Sequence, residues 1–290
     1  YTLDRFYFAS GNLDSWDGTV TQVSDAPAGF SNSLKVTTGT AETTVDSDEY
    51  AYIQQRIEAQ NLQHINNGTS DALPLKLSFW VKTSQTGTYG FSIYKDDNTA
   101  RLITATYTTT TTGWEYKTID IPGDTGGGGI DNNNGVGIRL YWPFVAGSGF
   151  TSTDSTSWIN YAGTGLFYGH AQNATATTAS ATWQITGVQL EVGETATPFE
   201  HRSYGDELVK CLRYFERMNY TYDAWTFIAV ATVPGTSSAI NMIGSIYYET
   251  KRTDPTVTST AANTFRQNGG GVSDNVATSI TFAMETPRSC

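Results

Sequence analysis

In the stretch Leu75-Lys76-Leu77-Ser78-Phe79-Trp80-Val81-Lys82, four apolar side chains (Leu75, Leu77, Phe79, Val81) fall on one side of an extended chain. Lys76, Ser78, Trp80 and Lys82 fall on the other. A strict period of two fits a half-buried strand and does not fit a helix. Alternation or β-rich content recurs at 33–38, 52–58, 89–94, 102–107, 114–121, 135–142 and 182–192. Between these segments lie loops such as Asp124-Thr125-Gly126-Gly127-Gly128-Gly129 and Asp131-Asn132-Asn133-Asn134-Gly135, too rich in glycine and asparagine for helix. Eight or more strands joined by polar loops predict an all-β sandwich.

Composition agrees: Thr, Ser, Gly and Asn are abundant, aromatics reach 13 % and charged residues only 16 %. With 17 Lys and Arg in 290 residues and a net charge of −11, the chain lacks the basic surface that nucleic-acid binding requires. No apolar run approaches the roughly 18–20 residues of a membrane span, so membrane insertion is not expected. The chain opens at Tyr1 rather than Met, as a mature form or a piece of a longer protein would. Cys211 and Cys290 do not make a disulfide framework; buried or idle thiols are the simple expectation, and a bond between them the alternative.

After the strand at 182–192, Gly193 and Pro198 break the pattern. From Asp206 to Met218, Leu208, Cys211, Leu212 and Phe215 recur at steps of three and four, one stripe of a helix whose first turn carries Asp206 and Glu207. Residues 223–231, 239–248, 256–260 and 276–284 then read as strands of a smaller unit. The predicted organisation is a sandwich at 1–200, a linker helix at 201–220 and a small C-terminal β domain at 221–290.

The wording of the junction carries a resemblance. Ile185-Thr186-Gly187-Val188-Gln189-Leu190-Glu191, then Ala196-Thr197-Pro198-Phe199-Glu200, Arg202, Glu207-Leu208, Cys211 and Arg213-Tyr214-Phe215 resemble a junction in tail fibre and other virion surface proteins of tailed bacteriophages. There it follows a jelly roll related to carbohydrate-binding modules. Asn12-Leu13-Asp14-Ser15-Trp16, Ser33-Leu34-Lys35-Val36 and Gly113-Trp114-Glu115-Tyr116 are similar to strands of such jelly rolls, and residues 248–258 partly match the segment that follows the junction. The resemblance implies a non-enzymatic protein of the phage particle, a homotrimer with other virion proteins as partners, attached to host cell-surface glycan. It also implies a structural Ca²⁺ near the first and last strands, for which Asp14, Asp17 and Asp25 are the nearest residues and Asp96-Asp97-Asn98 a second candidate. Two other readings stay open: a purely structural virion component, and the carbohydrate-binding module of a secreted polysaccharide-degrading enzyme.

Sugar recognition requires aromatic faces for pyranose C–H groups and amides, Arg or carboxylates for hydroxyls. If the strands beginning near Leu75, Tyr89 and Gly135 lie side by side, Trp80, Lys82, Tyr94, Arg139 and Tyr141 form such a site. The alternative is that a loop or a neighbouring subunit covers Trp80 and Tyr141. Trp114, Trp142 and Trp183 alternate with apolar residues and are expected in the core. Trp158, Tyr161, Phe167, Tyr168 and His170 sit in a long Gly/Ser/Thr-rich loop suited either to binding or to subunit contact. Catalytic patterns are missing: His64, His170 and His201 have no zinc-site spacing, no Gly-x-Ser-x-Gly elbow occurs, and Asp46-Ser47-Asp48-Glu49 reads as a solvated loop.

Overall fold

The computed structural model describes residues 5–151, 155–167, 174–214, 251–252, 266–267 and 275–276. Two compact units divide the chain, Tyr1–His201 and Arg202–Cys290. The first unit contains strands β1 (Tyr7–Gly11), β2 (Gly18–Val23), β3 (Ser33–Thr38) and β4 (Tyr50–Glu58), then a 3-10 helix at Ala59–Ile65. Next come β5 (Leu75–Thr83), β6 (Gly87–Lys95), β7 (Arg101–Thr109), β8 (Glu115–Ile121) and β9 (Val136–Ala146). The two-residue β10 (Ile159–Asn160), the one-turn α1 (Ala174–Thr177) and β11 (Thr182–Val192) complete it.

Two antiparallel sheets pack face to face as a jelly-roll sandwich. Six strands in the order β1-β4-β9-β6-β7-β10 make sheet A, and five in the order β2-β3-β11-β5-β8 make sheet B. The alternation of β5 decides its orientation: Leu77, Phe79 and Val81 are fully buried, whereas Lys76, Trp80 and Lys82 face outward. Phe79 meets Trp142 of sheet A edge-on at 5.9 Å and Tyr107 at 5.1 Å, and Phe144 meets Trp183 at 5.1 Å. Trp142 and Trp183 are core, as expected. Trp114 is not: it is partly exposed, and its indole N–H donates to Asp25 at the outer side of sheet B.

A one-residue bulge explains a break in the pattern of β11. Thr186 faces Trp80, but Gln189 faces Ser78, so three steps on β11 match two on β5. The inward set therefore shifts from the buried Trp183 and Ile185 to Val188 and Leu190, which are partly buried against the core, and Gln189 and Glu191 turn outward. Gly187 sits in the bulge at φ +61, and a Cβ there would lie 2.6 Å from the Phe30 ring. Beyond the strand the chain doubles back. The amides of Thr197 and Glu200 donate to Glu191 Oε1 (2.9 Å) and Gln189 Oε1 (2.8 Å), and Phe199 packs edge-on against Phe30 at 5.0 Å. The junction segment is thus a clasp closed over the bulge.

In the second unit α2 spans Tyr204–Leu212, two residues earlier than the expected start, because the Ser203 hydroxyl accepts the Asp206 N–H and caps the helix. At its other end Lys251 Nζ and the Arg252 amide donate to the carbonyls of Leu212 and Arg213. Two short strands, β12 (Arg266–Gln267) and β13 (Asn275–Val276), pair antiparallel. Most of the expected C-terminal strands, the 215–218 end of the predicted helix and Cys290 lie outside the described residues.

Replacing Gly187 by Ala is expected to destabilise the first unit by about 1–2 kcal/mol through the left-handed backbone alone. It should also displace Phe30 from Phe199. A thermal melt reads the first effect, and faster hydrogen exchange at Thr197 and Glu200 reads the second.

Candidate functional site

The outer face of sheet A is assembled by register. Tyr7 pairs Gln54, Gln54 pairs Tyr141, and Tyr141 pairs Ser92, so one row crosses β1, β4, β9 and β6. The next row runs Arg56, Arg139, Tyr94 over β4, β9 and β6. Tyr50 and Tyr52 extend the face along β4, their rings stacked 5.7 Å apart.

Arg139 is the hub. Its Nε donates to Asp96 Oδ2 at 2.6 Å, and its guanidinium lies 5.8 Å from the Tyr94 ring centre. Next to it, Arg56 Nε donates to Gln54 Oε1 at 2.6 Å and the Arg56 guanidinium sits 4.7 Å over Tyr7. Burial works against the charge of Arg139, yet Tyr141 and Asp96 outweigh it and raise its pKa. Burial raises the Asp96 carboxyl above its usual range despite Arg139 beside it. Tyr52, Tyr94, Tyr141 and Tyr161 are also pushed up, each chiefly by burial. The face therefore offers neutral tyrosines, fixed cations and one carboxylate, a set suited to C–H stacking and hydroxyl recognition rather than to proton transfer.

A loop covers part of this face. Phe167 meets Tyr141 at 5.5 Å and Tyr52 at 5.4 Å, Phe150 meets Tyr50 at 5.3 Å, and Tyr141 is only 2 % exposed. Tyr161 of the same loop packs edge-on against Tyr94 at 5.1 Å. Beneath the cover, Gln54 Nε2 and Ser92 Oγ are buried with no hydrogen-bond partner among the described residues, and a buried polar group of this kind calls for a water or a ligand hydroxyl. Tyr94, Arg139, Asp96 and Arg56 stay partly exposed at the open side.

The five expected glycan residues do not form one site. Tyr94, Arg139 and Tyr141 come together, but Trp80 and Lys82 lie on β5 of the opposite sheet, because β6 pairs with β7 and β9 rather than with β5. Tyr141 is under the loop, as the alternative reading held. Trp158 points its indole N–H to the Pro122 carbonyl, away from this face, and Tyr168 and His170 lie outside the described residues. The alternation did not reveal Tyr7, Tyr52, Gln54 and Arg56, although the 52–58 segment carries three of them on one side.

The expected calcium ligands do not converge. Asp25 accepts from Lys82, Trp114 and Gln184, whereas Asp17 accepts the Thr40 amide. Buried carboxylates organise the loop around Asp14: Glu42 accepts the amides of Ser15 (3.0 Å) and Trp16 (3.1 Å), and Glu49 those of Asp14 (3.1 Å) and Asp46 (2.8 Å). In the second candidate, Asp96 is paired with Arg139 and Asp97 accepts the Asp131 amide. Among the described residues no three His, Cys, Asp or Glu side chains are grouped to hold a metal ion.

No protein-family model and no curated protein matches the chain. Among solved structures it is similar to the enzymatically active domain of tailspike protein 4 of bacteriophage CBA120 (14 % identity, TM-score 0.36), with 65 % of this chain and 19 % of that one covered. It is also similar to the family 11 carbohydrate-binding module from Clostridium thermocellum in complex with a β-1,3-1,4-mixed-linked tetrasaccharide (14 % identity, TM-score 0.32, 64 % and 88 % covered). A third similar structure is the module pair of Clostridium thermocellum xylanase 10B complexed with xylohexaose (12 % identity, TM-score 0.35, 69 % and 28 % covered). The chain thus spans about a fifth of the tailspike domain and most of the family 11 module.

The electrostatics of the hub can be checked directly. In a carboxyl-carbon NMR titration Asp96 should lose its proton above the ordinary aspartate range, and Arg139→Met should move that midpoint further up, since Arg139 is the group that holds it down. An unchanged midpoint in the variant would contradict the pairing.

Proposed function

We propose that the first unit binds glycan without catalysis on the outer face of sheet A. We further propose that the protein is a tail-fibre-like component of a phage particle, trimeric, that attaches to host surface glycans. The observation that carries the glycan reading is the Arg56–Arg139–Tyr94 row with Asp96 hydrogen-bonded to its centre, partly exposed beside packed tyrosines. Aromatic rings supply the apolar contact, and oriented guanidinium and carboxylate groups supply directional bonds to hydroxyls. A glycosidase pair would need two available carboxylates about 5–9 Å apart. Here Asp96 is engaged by Arg139 and Asp97 by an amide, which supports binding rather than hydrolysis.

The virion assignment rests on the junction segment from Ile185 to Phe215, whose clasp gives its repeated wording a physical role. Weak sites in three copies would act together, because linkage raises the effective concentration of the second and third contacts. The burial of Tyr141 under Phe167 favours a second reading, a structural virion component whose aromatic face serves packing. A binding module carried by a polysaccharide-degrading enzyme would use the same face and differ only in its context.

Arg139→Ala should weaken binding about tenfold or more on a glycan array or host-cell pull-down, the loss of a charged hydrogen bond. The same variant should leave the oligomeric mass by light scattering unchanged. Isolated monomeric first unit should bind more weakly than the intact trimer. Full binding by Arg139→Ala would remove the site, and a trimer that binds no glycan would favour the structural reading.

A further inference from the structure

The outer face of sheet B carries a second aromatic group, on the side of the sandwich opposite the site above. Trp80 and Tyr116 are direct cross-strand partners on β5 and β8, with ring centres 5.3 Å apart and planes tilted by 52°. Tyr116 is 43 % exposed and Trp80 partly so. Two large rings displayed side by side on a sheet surface are costly to leave in water, and they contribute nothing to the core, which β5 supplies from its other face. Trp114 stands just before β8, and its indole N–H is tied to Asp25 Oδ1 at 3.2 Å.

The polar surroundings are ordered in advance. Asp25 receives Lys82 Nζ at 2.7 Å and Gln184 Nε2 at 3.2 Å, and Gln184 in turn accepts the Ser33 hydroxyl at 3.0 Å. The Lys82 hydrogen bond, acting against burial, holds the Asp25 carboxyl below its usual range. Both lysines of β5 that flank Trp80 are neutralised, Lys82 by Asp25 and Lys76 by Asp120. Ser78, Thr118 and Thr186 place short side chains around the ring pair, Thr186 opposite Trp80 and Thr118 opposite Ser78.

We propose that the Trp80–Tyr116 pair is a second, independent contact for a neutral polysaccharide, which makes the first unit bivalent for carbohydrate. Exposed rings with fixed hydrogen-bonding groups at their edge match the apolar face and peripheral hydroxyls of a pyranose. Neutrality follows from charge: the two β5 lysines on this face, Lys82 and Lys76, are already paired, so an acidic chain gains no partner from them, whereas a neutral chain loses none. The sheet B contact stands on its own observations, whereas bivalence rests on the sheet A reading; two faces binding one long chain or two chains would raise avidity further.

Intrinsic tryptophan fluorescence separates the two faces, because the sheet A rows contain tyrosines and arginines while sheet B exposes Trp80. The full-length protein would be titrated with mixed-linkage β-glucan, xylan and dextran as neutral probes and with alginate as an acidic one. The expected result is a saturable emission change with at least one neutral probe and a weaker or absent one with alginate. Tyr116→Ala, a surface change, should weaken the apparent affinity about tenfold. Trp80→Phe, which keeps a ring, should bind but lose most of the emission change. Silence with all three neutral probes, unchanged affinity in Tyr116→Ala, or preference for alginate would overturn the proposal. So would a drop in oligomeric mass in Tyr116→Ala, which would assign the ring pair to a contact between copies of the chain.

Discussion

The contact between Phe79 and Trp142, 5.9 Å apart across the two sheets, is the constraint from which both outer faces follow. Phe91 packs on the same indole at 5.1 Å, and the Trp183 indole N–H donates to the Tyr107 hydroxyl at 2.9 Å, so the seam is aromatic and directional rather than merely oily. Because side chains alternate along a strand, fixing Phe79 inward fixes Trp80 outward, and fixing Trp142 inward fixes Tyr141 outward. The two candidate surfaces are therefore the back sides of one core, separated by its thickness of about 10 Å. Neither can be changed by a one-residue slip without dismantling the seam.

Electrostatics then divides the surfaces. On sheet A, the partly buried Arg139 is hydrogen-bonded to Asp96 and lies 5.8 Å from the Tyr94 ring centre. Sheet B takes the opposite course, since its β5 lysines are cancelled by Asp25 and Asp120 and its rings are left as the dominant feature. Elsewhere polar groups serve architecture. Lys95, fully buried at the end of β6, donates to the carbonyls of Gly127 and Gly128, and Arg101 holds buried Asp124, so the glycine-rich loop is pinned rather than loose. Its burial depresses the lysine pKa, but two carbonyls hold its ammonium.

Much of this could be read from the chain before any coordinates. All eight alternating segments are strands, but the bulge at Gly187 required the pairing partner. Sheet membership was not legible, because alternation gives a side chain's face but not its neighbour. That is why Trp80 and Tyr94 were grouped although they lie on opposite sheets. Trp114 was assigned to the core from its alternation, yet it precedes the register of β8 and turns outward to Asp25. The resemblance pointed to Asp14, Asp17 and Asp25 as ligands, whereas the carboxylates that organise the loop around Asp14 are Glu42 and Glu49, distant in sequence and buried against its amides. The short β1, β2 and β10 lacked enough periods to stand out from polar loop.

The central claim is that the Arg56–Arg139–Tyr94 row touches sugar. Its most direct test is an arginine side-chain NMR titration of the protein with the glycan that scores highest on an array. The account predicts that the Nε–Hε signals of Arg139 and Arg56 shift together and saturate at the binding constant. Saturable binding that leaves both signals unmoved would contradict it.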